Sequence, residues 1–179
     1  MSYFEKQISS DMAYSGKILS LTVDKVELQT GRVTTREVVW HSGAVGVVAI
    51  DGGDIILVRQ FRYPFSRELL EIPAGKLEKD EEPIACAARE LEEETGYSAE
   101  EYIYLGDFYP SAAYCKEIVH IYLARGLSAG DAHPDEGELI DTVRMPVGEF
   151  TEMIMNNTIH DAKTIIGVLK AINFLDLEK

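Results

Sequence analysis

The residues best suited to chemistry lie between Gly75 and Tyr97, in the stretch GKLEKDEEPIACAARELEEETGY. Glu90, Glu93 and Glu94 are three and four positions apart, so on a helix they are neighbours. Like charges held that close weaken a bare helix by roughly a few tenths of a kcal/mol per pair and raise one another's pKa. A divalent cation removes that penalty. Oxygen donors with no His or Cys among them suit Mg²⁺ or Mn²⁺ rather than Zn²⁺. An acidic run of this kind also reads as a solvated helix face, and the run alone leaves both readings open.

The element that carries these glutamates is a helix of about three turns. Pro83 suits its first position, where a missing N–H costs nothing, and Gly96 supplies its stop. The acids at 80–82 sit where the helix dipole favours negative charge. At ~100° per residue, Ile84, Ala87, Ala88 and Leu91 fall on one apolar face, with Glu90, Glu93 and Glu94 expected on the opposite arc.

Before this helix, Leu19, Leu21 and Val23 alternate, then Val26 and Leu28 alternate in the other register, which predicts a bulge or bend near Asp24. Val33 to Trp40 reads as the return strand after the Thr30-Gly31 turn. Residues 1–43 therefore form a small antiparallel sheet, too small to be stable alone. The first 15 residues carry no assignable pattern. Residues 44–179 form the second domain. Ala44 to Ile50 is a strand buried on both faces, paired through the 51–54 turn with Ile55 to Gln60. Short strands follow at Leu69 to Ile72, Tyr102 to Phe108, Glu117 to Ala124 and Leu139 to Arg144. Helices are expected near Val147 to Asn156 and Asp161 to Leu175. A mixed sheet between the central helix and the terminal one makes an α/β/α sandwich, an α/β fold.

The net charge of −14 argues against nucleic acid and anionic membranes as partners. It also repels a phosphate-bearing substrate, so cations and a few placed basic residues must overcome that repulsion locally. No apolar run approaches the length of a membrane span, and the first residues lack a signal-peptide layout. Cys86 and Cys115 have no metal-binding spacing and read as reduced thiols. A cytoplasmic location is expected.

The spacing Gly75, five residues, Glu81, seven residues, then Arg89-Glu90-Leu91-Glu92-Glu93-Glu94-Thr95-Gly96-Tyr97 resembles the Nudix box at each of its fixed positions. The surrounding order is also similar: VELQTGR, GAVGVVAI, VRQFRYP, LLEIPAGKLE, DFYPSAAYCKEIVHIYLA, DEGE and HDAKT resemble the ADP-ribose pyrophosphatase branch of the Nudix hydrolases over roughly residues 16–170. The resemblance implies Mg²⁺-dependent hydrolysis of ADP-ribose to AMP and ribose 5-phosphate. It also implies a homodimer whose N-terminal sheets are exchanged between subunits. By the same likeness, Glu90, Glu94, Glu93 and the Ala74 carbonyl are metal ligands. Gly75, Arg89 and Gly96 are structural in the box, with Arg89 orienting the glutamates. Arg62 holds substrate phosphates, and Arg36 with Glu37 faces adenine. The general base falls in Asp135-Glu136-Gly137-Glu138, with Glu138 favoured and Glu136 second.

One loop departs from the branch, with Ser111-Ala112-Ala113 where Ser-Pro-Gly is usual. Two alternatives stand beside ADP-ribose hydrolysis. One is hydrolysis of another nucleoside diphosphate derivative, such as a GDP-sugar, a dinucleotide or FAD. The other is a non-catalytic nucleotide-sensing Nudix module.

Overall fold

The computed structural model of the protein describes residues 3–134, 137 and 139–178. Two compact units emerge: one takes the chain to Gly43 together with Tyr109–Ile118, the other comprises Ala44–Phe108 and Val119–Lys179.

In the first unit, β1 (Glu5–Ser15), β2 (Ser20–Leu28) and β3 (Val33–Trp40) form an antiparallel sheet in that order. β1 left no trace in hydropathy because it is exposed along its whole length. The phase change expected in β2 is not a change of backbone. Its buried face runs through Thr22, Asp24 and Val26 in unbroken alternation, two of them polar. Asp24 is buried because Ser10 Oγ and Gln7 Nε2 donate to it at 2.6 and 2.9 Å. The register shifts sit instead on β1, between Gln7 and Ser9 and between Met12 and Tyr14. In the departing loop, Tyr114 N and Cys115 N both donate to the Ser111 carbonyl, at 3.2 and 2.9 Å. Ala112 and Ala113 make this turn without left-handed backbone, so the glycine usual there is not required.

The second unit contains β4 (Ala44–Asp51), β5 (Asp54–Arg62), β6 (Arg67–Glu71), β7 (Ala74–Lys76), α1 (Pro83–Thr95), β8 (Tyr97–Phe108), β9 (Val119–Ala129), β10 (Ile140–Pro146), α2 (Val147–Met155) and α3 (Ala162–Leu177). The sheet order is β10-β5-β4-β9-β8, with β6 on β5 and β7 on β4. β4 and β9 run parallel and the other pairs antiparallel. The period of two decides which helix each residue meets. Val45, Val47 and Ala49 join Ile56, Tyr122 and Ala124 in packing with Cys86, Ala87 and Leu91 of α1. Val48, Ile55, Leu57, Ile121 and Leu123 point the other way and pack with Phe150 of α2 and Val168 and Ala171 of α3. The expected α/β/α sandwich is thus present. Among the described residues, no helix is long and apolar enough to cross a membrane.

α3 begins at a side-chain cap that also fixes the strand beside it. Asp161 accepts from Thr164 N at 3.0 Å and from Thr164 Oγ1 at 2.6 Å. The same hydroxyl accepts from Ile72 N at 3.0 Å, in a fully buried position. Thr164→Val keeps the shape but leaves the Ile72 N–H unpaired. It should therefore lower stability by about 1–3 kcal/mol in urea unfolding, with little change in the slope.

Candidate active site

α1 places the acidic residues, but not on the arc that periodicity assigns. Its buried stripe is Cys86, Ala87, Leu91, Glu94 and Thr95, whereas Ile84 is half exposed. Glu94 follows Ala87 by seven residues and Leu91 by three, so it shares their face. A carboxylate tolerates that burial only with partners. The Ala74 backbone N–H donates to Glu94 Oε2 at 2.8 Å. Gly96 ends the helix in left-handed backbone (φ 74°), its N–H bonded to the Glu92 carbonyl at 2.8 Å.

Gly75 exists to admit Glu90. A Cβ on residue 75 would lie 1.8 Å from the Glu90 carboxyl carbon, so the bare backbone of β7 forms the cradle for that carboxylate. The Ala74–Gly75 backbone thus meets both acids: Glu94 through the Ala74 N–H and Glu90 through the missing side chain of Gly75. Two carboxylates and a backbone carbonyl are hard oxygen donors, which fits Mg²⁺, Mn²⁺ or Ca²⁺ and disfavours Zn²⁺. Among the described residues, no group of three or more His, Cys, Asp or Glu side chains is placed to hold a metal ion, so the backbone carbonyl is needed to complete the donor set.

Arg89 supplies the charge that keeps the acids ordered. Its guanidinium donates to Glu81 at 2.9 and 3.0 Å, to Glu90 at 2.7 Å and to Glu93 at 3.0 Å. Hydrogen bonds from Arg89 hold the Glu81 carboxyl down at about 2, and the carboxylates, Glu81 foremost, raise the Arg89 pKa in return. Glu81 also accepts from Glu78 N at 2.9 Å, which ties the loop before α1 to the helix. Burial pushes the Cys86 thiol up to about 12, so it is no nucleophile at neutral pH.

The loop that carries the expected base is anchored at both ends to the last turn of α1. His133 N donates to the Glu93 carbonyl at 2.9 Å, and Thr142 Oγ1 donates to the Glu94 carbonyl at 3.4 Å. Glu136 and Glu138 themselves lie outside the described residues. Arg62, at the end of β5, is bidentate on Glu71, with 2.7 Å from Nε and 2.6 Å from Nη2. Glu94 is among the carboxylates whose field reaches Arg62. Arg36 and Glu37 lie in the first unit, where Arg36 pairs with Glu5 at 2.6 and 2.9 Å and Glu37 is exposed.

Sequence reasoning passed over the buried Glu71 and the half-buried Lys163 that pairs with it. A lone acid inside the apolar run LLEIP was the available signal. It counts as unusual because acids are seldom fully buried without partners.

Three comparisons bear on these features. A model described as "NUDIX domain" matches residues 40–165, and one described as "Nucleoside diphosphate sugar hydrolase N-terminal domain" matches residues 5–39. The ADP-ribose pyrophosphatase of Bacillus subtilis is 43% identical over 178 residues, covering 98% of this chain and 94% of its own. The methanol dehydrogenase activator of Bacillus methanolicus is 42% identical with the same coverage. The ADP-ribose pyrophosphatase of Mycobacterium tuberculosis is 38% identical over 167 residues, covering 90% of this chain and 80% of its own. A crystal structure of an ADP compounds hydrolase superposes with a TM-score of 0.86 at 19% identity, over 97% of this chain and 95% of that one.

Two variants test the geometry. Gly75→Ala should drive the Glu90 carboxylate off β7 and weaken divalent-cation binding by at least about tenfold, read by calorimetric titration with Mn²⁺. Glu81 has its folded pKa depressed from 4.5 to about 2, so its contribution to stability is complete above pH 4.5 and is lost as pH falls through 2. The gap in urea midpoint between wild type and Glu81→Gln should accordingly be full at pH 7 and shrink below pH 4.5.

Proposed function

This chain belongs to the NUDIX family, and on that premise we propose that it is a Mg²⁺-dependent ADP-sugar diphosphatase that cleaves ADP-ribose to AMP and ribose 5-phosphate. The observation that carries the reading is the meeting of Glu90 and Glu94 on the Ala74–Gly75 backbone, within electrostatic reach of Arg62. Relatives named ADP-ribose pyrophosphatase, similar over nearly the whole chain, support the substrate.

Ala74, Glu90 and Glu94 would hold the cation, with Glu93 joining when a second ion binds. Bound there, the metal would lower the pKa of water and neutralise charge on the phosphate oxygens. Arg62 meets the diphosphate through the N–H groups that Glu71 leaves open. Arg89 bridges Glu90 and Glu93 through one nitrogen and so orients both. Glu138 takes the proton of the attacking water, with Glu136 the second choice. The anchoring of residues 133 and 142 to the Glu93 and Glu94 carbonyls supports a base from the loop between them. Arg36 and Glu37 contact adenine in this scheme.

The assembly is a homodimer made through the N-terminal sheet, with residues 1–43 as the dimerisation element and 44–179 as the hydrolase domain. A three-stranded sheet with β1 wholly exposed and Ile8, Met12, Tyr14 and Val33 open to solvent supports that reading. Two free cysteines fit a reducing cytoplasm. The Bacillus methanolicus relative adds a second reading, activation of a dehydrogenase. A dehydrogenase rate that rises with wild type but not with Glu94→Gln would favour it.

Purified protein with Mg²⁺ should release AMP and ribose 5-phosphate fastest from ADP-ribose in a panel with ADP-glucose, GDP-mannose, NADH and FAD. Glu94→Gln should abolish release. Preference for another panel member would overturn the substrate, and no turnover with Mg²⁺ or Mn²⁺ would point to a nucleotide-sensing module. Glu138→Gln should lower kcat by about 10²–10⁴ with KM nearly unchanged. The same result from Glu136→Gln instead would move the base by two positions.

A further inference from the structure

Glu71 is the most deeply buried acid among the described residues, and no ligand role falls to it. It faces two cations. Arg62 grips it with two N–H donors, at 2.7 and 2.6 Å, and the Lys163 ammonium contacts the oxygen that Arg62 Nη2 also reaches. Lys163 is in turn 3.0 Å from Asp161 Oδ2, the oxygen that caps α3 through Thr164. Thr164 Oγ1 accepts from Ile72 N, two residues before Ala74. A continuous polar chain therefore runs from the start of α3, through Glu71, to the exposed end of Arg62.

Burial pushes the Glu71 carboxyl up, but the Arg62 and Lys163 contacts outweigh it and leave the carboxyl below its ordinary range. Glu71 is thus a fixed anion. Glu71 and Asp161 together match the charge of Arg62 and Lys163, so the cluster is neutral as a whole, and Arg62, 37% exposed, is the cation that it turns toward solvent. The bidentate grip also removes the rotational freedom of a long side chain before any ligand arrives. Arg62 keeps its remaining N–H donors for a second anion.

We propose that Glu71 and Lys163 are positioning residues for substrate binding. Glu71 aims the Arg62 fork at the diphosphate, and Lys163 draws off enough of the Glu71 charge for Arg62 to remain an effective cation. The inference rests on the reading that Arg62 contacts the substrate phosphates. Losing Glu71 frees the fork; losing Lys163 turns the whole Glu71 charge onto Arg62.

The test is equilibrium binding of ADP-ribose with metal withheld, so that nothing turns over. The variants are Arg62→Ala, Glu71→Gln, Lys163→Met, Lys163→Arg and the Arg62→Ala/Glu71→Gln double variant, each checked for native fold by circular dichroism. Arg62→Ala, Glu71→Gln and Lys163→Met should each weaken binding by about tenfold, the scale of one charge-assisted contact. Lys163→Arg should restore it. The double variant should bind no more weakly than Arg62→Ala, because Glu71 acts only through Arg62. If Glu71→Gln does not fold, Lys163→Met in the Arg62→Ala background supplies the same comparison. Losses that multiply in the double variant would overturn the proposal, since Glu71 would then act independently. Weakening by Arg62→Ala alone, with Glu71→Gln and Lys163→Met binding normally, would overturn the positioning role and leave the phosphate contact standing. Normal binding by Arg62→Ala would overturn both.

Discussion

One guanidinium makes the rest of the site tenable. Three glutamates within five residues repel one another, and Arg89 meets two of them, Glu90 and Glu93, while reaching back to Glu81 before the helix. The Glu81 contact joins the loop to α1, and the Glu90 contact holds that carboxylate against the bare backbone at Gly75. Glu94, on the buried face of α1, accepts from the Ala74 N–H. The acidic helix is therefore not balanced by solvent. Arg89 and the β7 backbone hold it in place, which sets where the carboxylate oxygens lie before any metal arrives.

The same division of labour recurs at Arg62. A strongly acidic chain has to offer positive charge to a diphosphate without letting its own acids neutralise it. In the proposed arrangement Lys163 draws off part of the Glu71 charge that Arg62 faces, and the Thr164 hydroxyl ties that cluster to the backbone leading into Ala74. Packing, capping and charge all meet between Glu71 and Gly75. A change in α3 would be felt there.

Much of this was legible in the sequence. Pro83 and Gly96 marked both ends of α1, the apolar run from Ala44 marked the central strand, and the spacing from Gly75 to Gly96 marked the acids that β7 gathers. What escaped were charged residues in apolar company. Periodicity treats a glutamate as a surface residue, so it sent Glu94 to the wrong side of α1 and overlooked Glu71. Asp24 misled in the same way, because a buried acid satisfied by Ser10 and Gln7 looks like a break in a strand. β1 was unreadable for the opposite reason: a strand exposed on both faces needs no alternation. In each case the deciding partner is distant in sequence, and hydropathy windows do not see it.

The most direct test of the metal-centre account is anomalous diffraction from a crystal soaked in Mn²⁺. The account predicts a peak bounded by the Ala74 carbonyl, Glu90 and Glu94, with Arg89 still bonded to Glu81. A peak confined to other acidic surface, or none at this position at saturating Mn²⁺, would contradict it.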